Sequence, residues 1–288
     1  MKRLFLALVV MAALLVPATT ASAAPTGEYA RFAKCPYTNP ATDACFVADT
    51  LSGSVKTGNK TVPIVNKVVL QGGLHYVVPG EPFGPLEFIG ATDGNTLTKV
   101  PQPVPGGLLG VTAPTWWPQF LQDLFNDTIN DGFTGVTATM ELGGPPSAIK
   151  LSLANELTAQ GVALQMPVKV KLSNPFLGSN CYIGSNSSPI TLKLTTGKTA
   201  PPPPNTPITG NPGTISEVDG SALLAVKGTK LVDNAFAVPG ANGCGGLFSF
   251  LIDPFVNSIV GLPSAAGNNH AILEGTTYLG DPVKVAAP

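Results

Sequence analysis

Charge is scarce in this chain. Only 11% of its 288 residues are Asp, Glu, Lys or Arg, against about 25% in an ordinary soluble domain. Sixteen basic and 17 acidic residues leave a formal charge of −1, so the electrostatics give no attraction to nucleic acid or to an anionic membrane. Histidine is rarer still. His75 and His270 are far apart, and no CxxC pair or Cys/His cluster supplies a zinc site.

Catalytic motifs are missing too. The sequence has no GxSxG nucleophile elbow and neither DTG nor DSG. TTGKT (Thr195–Thr199) ends like a phosphate-binding loop but carries Leu192 where the first glycine is required. SAIK (Ser147–Lys150) and KTG (Lys56–Gly58) stand in the reverse of the order used by penicillin-recognising enzymes, and SDN is lacking. A calcium-loop reading of NDTINDG with Gly132 at position six puts Ile129 and Ala138 where oxygen ligands belong. No metal and no cofactor are expected.

Glycine and proline are plentiful. Thirty-two Gly and 29 Pro, with 44% hydrophobic residues, are too apolar for disorder and too rich in chain breakers for a long helical bundle. A folded, turn-rich chain follows.

The N-terminus reads as an export signal. Lys2 and Arg3 precede the apolar run Leu4 to Val16 and then Ala21-Ser22-Ala23, the charged, apolar and small-residue regions of a secretory signal peptide. As an uncleaved anchor the run falls short of the roughly 20 apolar residues a spanning helix needs. Cleavage after Ala23 would remove two of the 16 basic residues and leave a net charge of −3. No cysteine follows the small residues, so no lipid anchor is indicated. The mature chain is expected to be secreted, with cell-wall association possible and no transmembrane segment. In that oxidising space Cys35, Cys45, Cys181 and Cys244 form two disulfides in one of three pairings.

An internal duplication organises the rest. CFVA (Cys45–Ala48) is echoed by CYIG (Cys181–Gly184) at an offset of 136. Pro63-Ile64-x-x-Lys67 returns as Pro189-Ile190-x-x-Lys193, and Asp93-Gly94-x-x-Leu97 as Asp219-Gly220-x-x-Leu223, both at 126. FLQDLFNDTI (Phe120–Ile129) matches FLIDPFVNSI (Phe250–Ile259) at 130. Four matches in one order favour duplication over coincidence and divide the chain into a signal (1–23), a first β-rich repeat (24–160) and a second (161–288). Cys45 and Cys181 are then equivalent. Because the first half has no counterpart of Cys244, the favoured pairing is Cys35 with Cys45 and Cys181 with Cys244.

Alternation marks strands at Val65–Leu70, Val136–Leu142, Ile149–Leu153, Val162–Leu172, Ile190–Thr195, Leu223–Val226 and His270–Leu279. In VKVKL (Val168–Leu172) and ITLKL (Ile190–Leu194), aliphatic residues take one face and Lys or Thr the other. Asp93-Gly94 and Asp219-Gly220 suit hairpin-type turns. The FLxDxF segments instead space their apolar residues as helices do, and Pro254 predicts a break or kink in the second. APPPPNTPITGNPG (Ala200–Gly213) reads as a long surface loop. The fold class is therefore mainly β: two pseudo-equivalent sandwich- or barrel-like halves, each with one short helix, packed together.

CYIGSNSSPITLKLTTG (Cys181–Gly197), PPPPN (Pro201–Asn205), ANGCGG (Ala241–Gly246) and LPSAAGNN (Leu262–Asn269) resemble uncharacterised secreted proteins of actinobacteria. The resemblance covers mainly the second half. It implies export and a bacterial origin, and it transfers no catalytic residue.

The candidate ligand-binding residues are Trp116 and Trp117, whose faces suit a sugar ring, and His270 beside Asn268-Asn269. Burial at the start of the first helix is the alternative for the tryptophans, and a hydrogen-bonded core or edge position for His75. Asp123/Asp253 and Glu141/Glu274 are the carboxylate pairs that a glycosidase-like mechanism would bring to within roughly 5–9.5 Å. The leading reading is a noncatalytic exported or envelope protein with a structural or binding role, its partner an envelope component or an apolar or carbohydrate ligand. A closed, well-packed interior with no cavity of roughly 300 Å³ would count against a carrier of an apolar ligand, and a hydrolase would need converging carboxylates.

Overall fold

The computed structural model describes residues 24–109, 112–130, 134–220 and 222–287; the expected export signal lies outside the described residues. Fourteen strands build two antiparallel seven-stranded sheets. The first sheet contains β1 (Ala44–Thr57), β2 (Lys60–Pro63), β3 (Val68–Tyr76), β4 (Leu86–Gly90), β11 (Thr214–Glu217), β12 (Leu223–Asp233) and β14 (His270–Gly280). Its order is β11-β12-β14-β1-β3-β4, with β2 also paired to β1. The second contains β5 (Gln102–Pro103), β6 (Thr137–Leu142), β7 (Lys150–Leu151), β8 (Leu164–Ser173), β9 (Tyr182–Ile183), β10 (Ile190–Leu194) and β13 (Ala241–Asn242). Its order is β13-β9-β8-β6-β5, with β7 and β10 also on β8. Each sheet thus takes strands from both sides of residue 160.

The alternating patterns carry the packing. In β10, Ile190, Leu192 and Leu194 are buried while Thr191 and Lys193 are exposed. In β8, Leu164, Met166, Val168 and Leu172 are buried. These side chains share one core with Phe46, Leu74 and Phe88 of the first sheet. A smaller cluster of Phe32, Cys35, Cys45, Val47, Leu223 and Val285 covers the outer side of β1. It is roofed by a 3-10 helix (Gly27–Phe32) and by α4 (Pro282–Ala286). The Phe32 ring lies so close to Gly280 that a Cβ there would stand 2.7 Å from Cε2.

β1, the longest strand, was not expected as one. A bulge between Thr50 and Ser52 shifts its register against β14, so residues 46, 48 and 50 face inward before it and 55 and 57 after it. A two-residue period cannot run through such a shift. Gly53 sits just beyond at φ +126, with the Ile272 carbonyl where a Cβ would go.

Four helices complete the described chain: α1 (Gln119–Asn130), α2 (Leu153–Thr158), α3 (Ser249–Val260) and α4. Both FLxDxF segments are helical. α3 runs through Pro254 without interruption, so of the expected break or kink the break does not occur. The carbonyl that would have received the missing N–H belongs to Phe250, an exposed residue, where water can take its place. The expected Ile149–Leu153 strand shrinks to β7, because the Ser152 hydroxyl accepts a hydrogen bond from the Asn155 amide and starts α2 at Leu153. The disulfides pair Cys35 with Cys45 and Cys181 with Cys244, at Cα separations of 5.5 and 4.0 Å.

Asn269 ties the loops at one end of the sandwich. Its fully buried side chain accepts from the Gly58 amide at 2.8 Å and donates to the carbonyls of Phe236 and Ala265 at 2.9 and 3.0 Å. Its own carbonyl accepts from the Asn205 side chain at 2.8 Å, which pins the proline-rich loop. Asn269→Ala keeps the backbone carbonyl but strands the Gly58 amide and the Phe236 and Ala265 carbonyls, and is expected to cost about 2 kcal/mol in urea unfolding.

Candidate functional site

The two inner sheet faces do not fill the space between them. They leave an apolar cavity of ≈ 140 Å³. Ala48, Leu70 and Leu273 wall it from one sheet, and Ala138, Met166, Val170 and Leu172 from the other. α3 closes one side with Phe255, Val256, Ile259 and Val260. Val256 is buried, whereas Phe255 is 48% exposed, so the cavity reaches the surface along this helix.

Among the lining residues, Thr50, Thr57, Lys60 and Gln102 carry polar side chains. Gln102 is committed locally, accepting from the amides of Val65 and Asn66 and donating to the Asn66 carbonyl. Burial lowers the pKa of Lys60. The wall is otherwise hydrocarbon, and a dry cavity follows from that lining.

Helices α1 and α3 also expose apolar residues. Phe120 and Leu124 of α1 are exposed, as are Phe250 and Leu251 of α3 and the preceding Leu247 and Phe248. Trp116 is 81% exposed rather than packed at the helix start. Its ring meets Trp117 edge-on at 6.0 Å, and Trp117 meets Phe125 at 5.7 Å. His270 stands at the start of β14 opposite Lys56. Burial and then Lys56 hold its imidazole below the usual range. The lining of the cavity includes neither tryptophan nor His270.

Glu141 and Glu274 do not come together as a carboxylate pair. Glu274 alternates with the cavity-lining Leu273, and Glu141 with the cavity-lining Met140, so each projects from the outer face of a different sheet. Packed sheets lie about 10 Å apart, which puts the outward carboxylates beyond the reach of a glycosidase pair. Each has local partners instead. Glu141 lies 3.9 Å from Lys169 Nζ, while Glu274 accepts from the Ser52 hydroxyl at 3.2 Å and lies 3.5 Å from Lys230 Nζ. Asp123 accepts from the Gln119 side chain at 2.9 Å. Asp253 accepts from the amides of Gly243 and Cys244 at 3.1 and 2.7 Å, fastening the loop that precedes α3. His75 sits half-buried near the end of β3, a strand flanked by β1 and β4, with its Nδ1 2.8 Å from Asp43 Oδ2. Among the described residues, no group of three or more His, Cys, Asp and Glu is placed to hold a metal ion.

Two buried carboxyls are absent from the sequence reading: Asp233, which accepts from the amides of Lys193 and Ala235, and Glu156. Glu156 of α2 is 3% exposed, and its Oε1 accepts from the Thr277 hydroxyl at 3.1 Å. Burial pushes its carboxyl up to about 7, with the hydroxyl opposing the shift. The local signal was Ser152 as a helix cap ahead of LANELT, which turns Glu156 inward beside Leu153. Glu156 lines a second cleft of ≈ 430 Å³, between α2, the start of β12 and the end of β14.

No protein-family model matches the chain, and no match was found among curated proteins or solved structures.

Proposed function

We propose that the chain is a noncatalytic exported protein that binds a small apolar ligand between its two sheets. The observation that carries this reading is the hydrocarbon-walled cavity opening along α3. Its ≈ 140 Å³ falls below the roughly 300 Å³ of ordinary small-molecule sites, so the ligand is limited to a single ring or a short alkyl chain. An engineered apolar cavity of about 150 Å³ stays dry and takes up benzene. The apolar outer face of α3 suits a ligand that arrives from an apolar phase or partner.

Two disulfides fit an oxidising compartment, and no helix among the described residues is long and apolar enough to cross a membrane. The duplication has local support: both FLxDxF segments fold as 12-residue helices, and each is followed by a strand, α1 by β6 and α3 by β14.

Benzene tests the binding reading. Saturating benzene should raise the wild-type Tm in calorimetry. Ala138→Leu fills the cavity and should raise stability unaided by about 1 kcal/mol, while abolishing the benzene response. An unchanged wild-type Tm, or a variant that responds like wild type, overturns the reading.

A further inference from the structure

We propose that the cleft over Glu156 is a second ligand site, and that it takes an organic ammonium ion with an apolar body. At ≈ 430 Å³ the cleft lies in the range of ordinary small-molecule sites, and it does not share the inter-sheet cavity's lining. Its walls are mostly apolar, with three carboxyls among them: Glu156, Asp43 and Asp281. No Lys, Arg or His lines it. The negative charge around the space is therefore not balanced by a cation from the wall.

Depth separates the three acids. Asp43 holds the His75 ring and the Tyr76 amide through Oδ2, and Asp281 caps α4 by accepting from the Val283 amide. Both have structural duties. Glu156 is the buried one, and among the described residues its Oε2 receives no hydrogen bond and faces no cation. A carboxyl carried into an apolar cleft with a hydroxyl as its sole side-chain partner suits a ligand that brings its own positive charge.

The aromatic residues point the same way. Tyr76 and Phe83 line the cleft, and aromatic faces attract ammonium groups. A metal ion suits the site less well. The three carboxyls are not placed to share one, and an apolar wall cannot replace the oxygen shell of a hard cation.

Titration calorimetry at pH 7.5 with phenethylammonium, 2-phenylethanol and 3-phenylpropanoate tests the proposal. Phenethylammonium should bind at least about tenfold tighter than the alcohol, and the carboxylate should not bind. Glu156→Gln should reduce ammonium affinity to the level of the alcohol. Ile215→Trp, at an exposed position on the cleft wall, narrows the space with Glu156 in place and should weaken both ligands. Ala138→Leu should leave ammonium binding unchanged, which separates this site from the benzene cavity. Equal affinity for ammonium and alcohol, no ammonium binding, or ammonium binding undiminished in both cleft variants would overturn the proposal.

Discussion

Replacing Cys181 and Cys244 together by alanine should cost the protein about 4 kcal/mol of unfolding free energy. The bridge spans 63 residues, and the chain-entropy model assigns a closed loop of that length about 4.3 kcal/mol. The enclosed segment holds β9 to β13 and so passes from the second sheet to the first and back. Both sulfurs are fully buried. The cysteine backbones also make ladder and loop contacts: the Cys181 carbonyl accepts from the Leu172 amide at 2.9 Å, and the Cys244 amide donates to Asp253 at 2.7 Å. Cutting the covalent link leaves those hydrogen bonds possible but enlarges the unfolded ensemble.

The Cys35–Cys45 bridge closes ten residues and is worth about 2.7 kcal/mol by the same model. Urea unfolding of the two double-alanine variants should therefore rank Cys181/Cys244 as the larger loss. Against a total stability of about 5–15 kcal/mol, that loss would leave the protein marginal. An equal or greater loss at Cys35/Cys45 would sink the loop-length account.

What could be read in the sequence was local. The two-residue period of β8 and β10 survives into the structure because both strands bury one face against the core and expose Lys or Thr on the other. The helices at the FLxDxF segments were legible for the same reason, since their apolar spacing matches a helical turn. β1 was hidden by its bulge, which moves the inward face from even to odd positions. The echo that paired CFVA with CYIG joins a 14-residue strand to one of two residues, so similar residues do not guarantee similar extents of pairing. Strand order was not legible at all. Cys45 lies opposite Gly280 across the first sheet, and nothing in either segment's own residues specifies a partner so distant along the chain. The cavity follows from that order, because Ala48 and Ala138 face the interior only once both sheets have assembled.

Replacing Glu156 by glutamine should stabilise the protein by about 3 kcal/mol at pH 8 and by nothing near pH 4. In the unfolded chain the carboxyl titrates near its ordinary 4.5, whereas burial raises it to about 7 in the folded one. Between those values the folded state retains a proton that the unfolded state has released, so stability falls as pH rises through this window. The gap corresponds to about 3 kcal/mol at 1.36 kcal/mol per pH unit. Below 4.5 both states are protonated and the loss vanishes.

Glutamine never ionises, and its amide oxygen can still accept from the Thr277 hydroxyl. Asp43, Asp281, Tyr76 and the nearby His75 are present in both proteins, so the difference between variant and wild type isolates Glu156. Urea unfolding at pH 4, 6 and 8 should show a gap that opens with pH; a gap independent of pH would mean that the carboxyl is not the group responsible. Phenethylammonium adds a second arm. By pairing with the ionised carboxyl it should restore at pH 8 part of the stability that wild type loses, and stabilise Glu156→Gln no more than 2-phenylethanol does, because the cost of burying the charge disappears once a bound cation neutralises it.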